Sequence, residues 1–219
     1  MNLFLHAADS LKYGFARMAK HPARWLLFSV LTLIPVANFF VSGALLKIYR
    51  HEEPTLAEPK KCFVQGFFSV IINAIYMIIP LIIIFVFLLS GLLVGGETGD
   101  ISGLLEGLLY GAVLGLGFAA IPAVFFSMVA IPAIINYARA KSIIAAFNFY
   151  EIPDLIRALG WGRYFLSWIV IIVCNLLISV LYLVVGLIPG VGFILSALVW
   201  FVCLVPVSVF NNTYWAKLL

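Results

Sequence analysis

Charged residues are missing from four long stretches of this sequence, 25–46, 62–96, 107–138 and 164–216. Only 10% of all residues are charged, whereas soluble domains average about 25%. A water-soluble helix needs polar or charged side chains on its exposed face, and these stretches supply no charge there. Each stretch is long enough for the roughly 20 apolar residues that cross a bilayer. The sequence therefore predicts an integral membrane protein.

Alternating polarity is also absent, and this excludes a membrane β-barrel. Backbone polar groups inside a bilayer must be bonded within the protein, so only helices and closed barrels can span it. A barrel strand alternates apolar and polar residues, but the run Ile78–Ser90 is almost continuously apolar. We predict an all-α, polytopic membrane helix bundle.

The sequence has few of the residues that carry chemistry. Its three histidines and three cysteines lack metal-ligand spacing, and no Ser–His–acid set or paired carboxylates can be assembled. No run of basic residues interleaved with aromatics indicates nucleic-acid binding. Because no charged residue or histidine lies in the middle of a span, proton-coupled transport is disfavoured. We expect no enzymatic activity, no catalytic or metal-binding residue and no cofactor.

Proline, glycine and charge divide the chain into segments of one membrane domain, 1–219. A Gly-rich loop is expected at Gly91–Gly103, and Pro189 with Gly190 marks a tight turn within the last apolar stretch. Two amphipathic interfacial helices are expected outside the spans, at 3–20 and within 139–163. The expected segments are an amphipathic cytoplasmic segment 1–24, a hairpin or span 25–46, and four full spans at 62–89, 104–138, 164–187 and 191–216.

The first amphipathic segment has an apolar stripe at helical spacing, formed by Phe4, Ala8, Leu11, Phe15 and Met18. This stripe fits a surface helix that packs on its own domain. It also fits a helix that lies on the cytoplasmic leaflet, and both interpretations can hold together.

The distribution of basic residues predicts the topology. All 13 Lys and Arg fall in 1–24, 47–61, 139–163 and 216–219. With the four expected spans, the last three of these segments share one side of the membrane, which the positive-inside rule makes cytoplasmic. If 25–46 crosses the bilayer as a fifth span, the basic residues of 1–24 end up outside. If it turns at Pro35 and re-enters, every basic residue is inside. We favour the re-entrant hairpin, with both termini cytoplasmic in a multi-pass protein of the cell membrane.

Small residues recur at every fourth position in the third apolar stretch. Such ladders let two helix backbones approach closely, because membrane helices associate by packing and not by water exclusion. The ladder indicates packing within the domain, or else an interface with a second copy or a membrane partner. Its members are Gly103, Gly107, Gly111, Gly115, Ala119, Ala123 and Ser127.

Two further sets of residues are candidates for function. Basic side chains in the amphipathic segments can contact anionic lipid headgroups, and the candidates are Lys12, Arg17, Lys20, Arg157 and Arg163. Amide side chains within the apolar stretches serve as interhelical hydrogen-bond partners or line a polar path for a small solute. The candidates for the path are Asn38, Asn73 and Asn175.

Three blocks of sequence carry a family resemblance, and together they cover most of the chain. The first block runs from Tyr13-Gly14-Phe15 through Leu33-Ile34-Pro35-Val36-Ala37-Asn38-Phe39 to Gly43 and Arg50. The second runs from Pro54 through Gly66 and Tyr76 to Pro80. The third runs from Ala145-Ala146-Phe147-Asn148-Phe149-Tyr150-Glu151-Ile152 through Tyr164 to the last two spans. With these blocks the chain resembles the multi-pass membrane family called domain of unknown function 4013, found in archaea and some bacteria. It departs from the family pattern at Ala57-Glu58-Pro59-Lys60, where an acidic, Trp-containing stretch is typical. The resemblance implies a multi-pass fold and supplies no activity.

These observations favour a non-catalytic membrane protein that organises lipid or binds a partner, with anionic membrane lipids as the first expected partner. Two alternatives stay open. One is a facilitator or channel for a small solute, and the other is an accessory subunit of a larger membrane complex.

Overall fold

The computed structural model describes residues 3–97 and 99–219. Within these ranges the chain is helical, without a strand. Four of the described helices, α5, α6, α8 and α9, are long and apolar enough to cross a membrane, which confirms the predicted all-helical polytopic bundle. The elements are α1 Leu3–Lys20, α2 Pro22–Leu33, α3 Asn38–Leu46, the 3-10 helix η1 Lys47–Arg50, α4 Pro59–Tyr76, α5 Ile78–Gly96, α6 Ile101–Ala140, η2 Ile143–Phe147, α7 Glu151–Leu159, α8 Trp161–Gly186 and α9 Gly192–Leu218.

The described residues divide into two compact units. The larger unit contains residues 3–70 and 132–219, and the smaller unit contains residues 71–131. Every Lys and Arg of the chain belongs to the larger unit.

Glycines form the contact between α5 and α6 in the smaller unit. A Cβ added to Gly107 would overlap the backbone carbonyl of Gly91, and one added to Gly111 would overlap the carbonyl of Phe87. Gly107, Gly111 and Gly115 are buried, while Leu109, Leu114 and Leu116 on the same helix are exposed. The two backbones therefore approach more closely than any larger residue would permit at these positions.

The same contact corrects the loop expected at Gly91–Gly103. α5 continues to Gly96 and α6 begins at Ile101, because Gly91 and Gly95 pack against the backbone of α6 and do not belong to a loop, while Gly99, with φ at 72°, lies in the short connection. Asp100 starts α6 as a helix cap, since its carboxylate accepts hydrogen bonds from the Gly103 N–H at 2.9 Å and the Ser102 hydroxyl at 2.8 Å.

Two expected spans have different bounds in the structure. The interval 62–89 is divided between α4 and α5, which meet at Met77. Pro80 explains the division, because it has no N–H to donate to the carbonyl four residues earlier, at Tyr76. The interval 104–138 lies in one continuous helix of 40 residues, although it contains Pro122 and Pro132.

The chain reverses direction between α2 and α3 in the larger unit. Lys47, which follows α3, donates to the carbonyl of Thr55 at 2.8 Å, and Thr55 lines a cavity together with Ala23 and Arg24 at the start of α2. One straight helix would separate Arg24 from Lys47 by about 35 Å. The segment 34–37, which contains Pro35, is therefore the turn between two antiparallel helices.

α3 packs closely on α4. A Cβ on Gly43 would overlap the carbonyl of Cys62, and one on Gly66 would overlap the carbonyl of Phe39. The ring of Phe39 also contacts Phe67 edge-on, at 5.4 Å between centroids. These contacts hold the start of α3, and with it the turn at 34–37, beside the middle of α4.

Pro206 interrupts the hydrogen bonding of α9, and the N-terminal helices pack at this point. Proline cannot donate to the carbonyl four residues earlier, so the helix leaves the Val202 carbonyl without its usual partner. The indole N–H of Trp25 donates to that carbonyl at 2.9 Å. A Cβ on Gly14 would lie 2.8 Å from the Pro206 carbonyl oxygen, so α1 needs glycine there.

Residues 187–191 connect α8 and α9. Gly190 lies in this connection with φ at 82°, a left-handed conformation that glycine adopts without strain. Pro189 stands directly before it.

Replacing Gly111 with leucine is expected to lower the melting temperature by about 2–12 °C, because overpacking of this contact costs roughly 1–3 kcal/mol. Gly117→Leu is the matched control, since a Cβ at Gly117 meets open space. Thermal unfolding in detergent measures both variants. Equal melting temperatures for the two would contradict the assigned contact.

A double-mutant cycle tests the bond between Trp25 and Val202. Trp25→Phe should cost about 1 kcal/mol of unfolding free energy in the natural background, because the Val202 carbonyl then lacks a donor. The cost should shrink when Pro206→Ala restores the N–H within α9. If Trp25→Phe costs the same in both backgrounds, the indole does not compensate for the proline.

Candidate functional site

All four basic segments of the chain meet at one end of the larger unit. Arg17 pairs with Glu53 at 2.5 Å, which joins the first segment to the second. Arg139 donates to the Tyr49 carbonyl at 3.4 Å, which joins the third to the second. Arg139 donates to the carbonyl of Leu219 at 2.9 Å, which joins the third to the C-terminus. The structure thus gathers residues that lie almost 200 positions apart.

The charge of this end is strongly positive. The larger unit contains all 13 Lys and Arg but only six of the nine acidic residues, which leaves a formal charge of +7. The smaller unit contains the other three, Glu97, Asp100 and Glu106, and no basic residue. We refer to the region that holds the four basic segments as the basic end.

The five predicted headgroup contacts have different surroundings. Lys12, Lys20 and Arg163 are exposed at the basic end. The side chain of Arg17 is only 19% exposed, and its contacts with Glu53 and the Tyr13 hydroxyl tie α1 to the loop after η1. Arg157 is exposed and pairs with Asp154, one turn earlier on α7, at 3.2 Å.

The predicted apolar stripe of α1 is not the face that packs on α9. Phe4 is 65% exposed, Ala8 is exposed, and Leu11 and Phe15 are half-buried. The side chain of Met18 lies outside the described residues. α1 therefore packs through smaller side chains, among them Gly14, and presents an apolar edge to its surroundings.

Large apolar side chains are exposed beside the second amphipathic segment. Ile144 is 82% exposed and Tyr150 is 87% exposed, and Phe149 and Trp161 are exposed as well. α7 itself buries its apolar face; Phe149, Tyr150 and Trp161 stand at its two ends, and Ile144 lies in η2 before it. Aromatic side chains in such positions are typical of the boundary between hydrocarbon and water.

The amides predicted to line a polar path have local roles or exposed positions. Asn175 and Asn211 exchange side-chain hydrogen bonds at 3.1 and 3.3 Å, which joins α8 to α9. Asn175 also donates to the carbonyl of Ile171 at 2.8 Å. Asn38 is half-buried at the start of α3, and Asn73 is exposed on α4.

A cluster of three lysines went unrecognised in the sequence. Lys60 and Lys61 open α4, Lys141 follows α6, and the structure places all three around one cavity. No sequence pattern joins positions 61 and 141, which are 80 residues apart. The one available signal was the general positive charge of both segments.

The contacts that the structure describes for the ladder of small residues are with other residues of the same chain. Gly103, Gly107 and Gly111 pack on the backbone of α5, and Ser127 donates to the carbonyl of Ala123 at 2.7 Å. In the described part of the chain, no group of three His, Cys, Asp or Glu side chains could hold a metal ion.

The chain matches the family described as "Protein of unknown function (DUF4013)" over residues 27–204. It belongs to this family. The match begins within α2, includes the reversal at Pro35 and the helices from α3 to α8, and ends about halfway along α9. A search of curated proteins and a search of solved structures each found no match. Together with the four apolar helices, the family membership indicates a multi-pass membrane protein without an assigned role.

Proposed function

We propose that this chain is a non-catalytic membrane protein whose basic end binds anionic lipid headgroups at the cytoplasmic surface of the cell membrane. The observation that supports the proposal is the convergence of all four basic segments on one end of the larger unit. Each well-placed Lys or Arg near an anionic membrane surface contributes about 1 kcal/mol. Lys12, Lys20 and Arg163 are exposed there and are the residues we assign to this contact.

The exposed aromatic side chains support the same orientation. Tyr150 and Trp161 border α7, whose outer face carries Asp154 and Arg157. An amphipathic segment with this arrangement fits the headgroup layer, where apolar side chains enter the hydrocarbon and charged side chains remain in water. The membrane surface would then lie along α7.

The hairpin of α2 and α3 fits a re-entrant position in the bilayer. α2 has 12 residues and α3 has 9, so they extend about 18 Å and about 14 Å. Both values are near half of the roughly 30 Å hydrocarbon thickness. The turn is apolar, and Val36 within it is 63% exposed, which favours lipid around the turn.

Quenching of tryptophan fluorescence by brominated lipids provides a direct test. Trp161 is exposed close to Arg163 and senses lipid at the basic end. We expect brominated phosphatidylglycerol to bind more tightly than brominated phosphatidylcholine. The combined variant Lys12→Gln, Lys20→Gln, Arg163→Gln should reduce that preference by roughly a hundredfold, because each lost charge corresponds to about fivefold and the three factors multiply.

Glu97→Gln is the matched control, since it changes charge in the smaller unit and should leave the lipid preference unchanged. High salt should weaken the preference of the natural protein, as expected for exposed charges. A preference that is the same in the triple variant and the natural protein would refute the assignment of these three residues.

A further inference from the structure

A cavity of about 440 Å³ opens between the start of α4 and the end of α6, within the larger unit. Its volume lies in the range of small-molecule sites, about 300–1,000 Å³. The lining combines cationic, polar and apolar side chains, and the residues are Lys60, Lys61, Val64, Gln65, Phe68, Tyr137, Lys141 and Ile143.

Positive charge dominates the cavity. Three lysines line it, and the nearby carboxylate is Glu58, which pairs with Lys61 across one turn. The hydrogen bond from Lys61 lowers the pKa of Glu58, with smaller contributions from the charges of Lys47 and Lys141. Glu58 therefore stays ionised and offsets one of the three cavity charges, which leaves an excess of two.

The polar wall of the cavity is fixed by a bond between its two helices. Tyr137 is buried, and its hydroxyl donates to the backbone carbonyl of Gln65 at 3.2 Å. This bond sets the separation of α4 and α6 at the level of the lysines. Val64 and Phe68 continue along α4 from Lys61, so an apolar surface begins directly beside the charges.

Lys141 adopts a conformation that disfavours any residue with a Cβ. Its φ is 54°, and its N–H donates to the Tyr137 carbonyl at 2.9 Å to end α6. Glycine, or sometimes asparagine, usually occupies this left-handed position after a helix. A lysine held there directs a cation to the cavity at the expense of backbone stability, and strain of this kind concentrates at functional sites.

The cavity lies beside the residues that indicate the membrane surface. Ile143 lines it, and Ile144, directly after, is among the most exposed apolar residues of the larger unit. A ligand that enters here can keep an apolar portion in the hydrocarbon while its charged group reaches the lysines.

We propose that this cavity binds the phosphate group of one anionic phospholipid. Lys60, Lys61 and Lys141 contact the phosphate oxygens, and the glycerol and first methylene groups pack on Val64 and Phe68. The inference rests on the proposed function, because the basic end must face the bilayer surface for a headgroup to reach the cavity. It goes further by naming one site and its ligand.

Native mass spectrometry of the full chain in a neutral detergent, titrated with phosphatidylglycerol, tests the site. We expect Lys141→Gly to weaken binding of the first lipid at least tenfold, since charge-assisted hydrogen bonds are lost. Its melting temperature should stay equal or rise, because glycine relieves the left-handed strain. Weaker binding without loss of stability separates a ligand contact from a structural role.

A second variant, Lys60→Gln with Lys61→Gln, should weaken binding of the first lipid in the same way and leaves the backbone of Lys141 unchanged. Lys217→Gln is the control, because Lys217 is an exposed lysine of the basic end that lies outside the cavity and is not among the three residues assigned to the headgroup contact. Affinities within twofold of the natural protein for both cavity variants would overturn the proposal. So would displacement of the lipid by an equal concentration of inorganic phosphate, which would identify a site for free anions.

A failure of the cavity proposal can be distinguished from a failure of the proposed function. If the cavity variants bind the first lipid normally while the quenching preference still depends on Lys12, Lys20 and Arg163, only the cavity proposal falls. If the natural protein shows no preference for phosphatidylglycerol in the quenching experiment, the proposed function is contradicted, and the cavity proposal, which rests on it, is contradicted as well.

Discussion

A polar group inside a bilayer has no water to bind, and the structure of this chain follows from that constraint. The uncharged stretches form helices because a helix satisfies its own backbone. Where Pro206 breaks the pattern in α9, the indole of Trp25 donates to the carbonyl that is left over. Charge is excluded from the same regions, so the basic residues collect where the helices of the larger unit end. The strongly positive end is thus a consequence of the apolar spans.

Much of the fold could be predicted from the sequence because charge and length determine membrane helices. The predicted bounds of one loop and one span differ from the structure, and each difference has a specific reason. Glycines at 91 and 95 resembled a loop, but they pack on α6, and periodicity does not distinguish a turn from a close helix contact. Pro80 divided an expected span at Met77, three residues before the proline itself.

The candidate site was less accessible to sequence reasoning, since it depends on contacts between distant segments. The pairing of Arg17 with Glu53 could not be foreseen, and it turns a predicted headgroup ligand into a link between helices. The grouping of Lys60 and Lys61 with Lys141 depends on how α4 and α6 pack. The left-handed backbone of Lys141 leaves no trace in composition, because glycine would be the expected residue there.

The orientation of the basic end is the central claim, and cysteine accessibility tests it most directly. In a chain whose three native cysteines are replaced by alanine, single cysteines replace Ala19, Ala57 and Ala158 at the basic end, Ser102 at the start of α6, and Val191 in the connection between α8 and α9. A membrane-impermeant maleimide should label the first three from the cytoplasmic side and the last two from the other side. Labelling of the cysteine at position 19 from the same side as those at positions 102 and 191 would contradict the account, because α2 and α3 would then cross the bilayer.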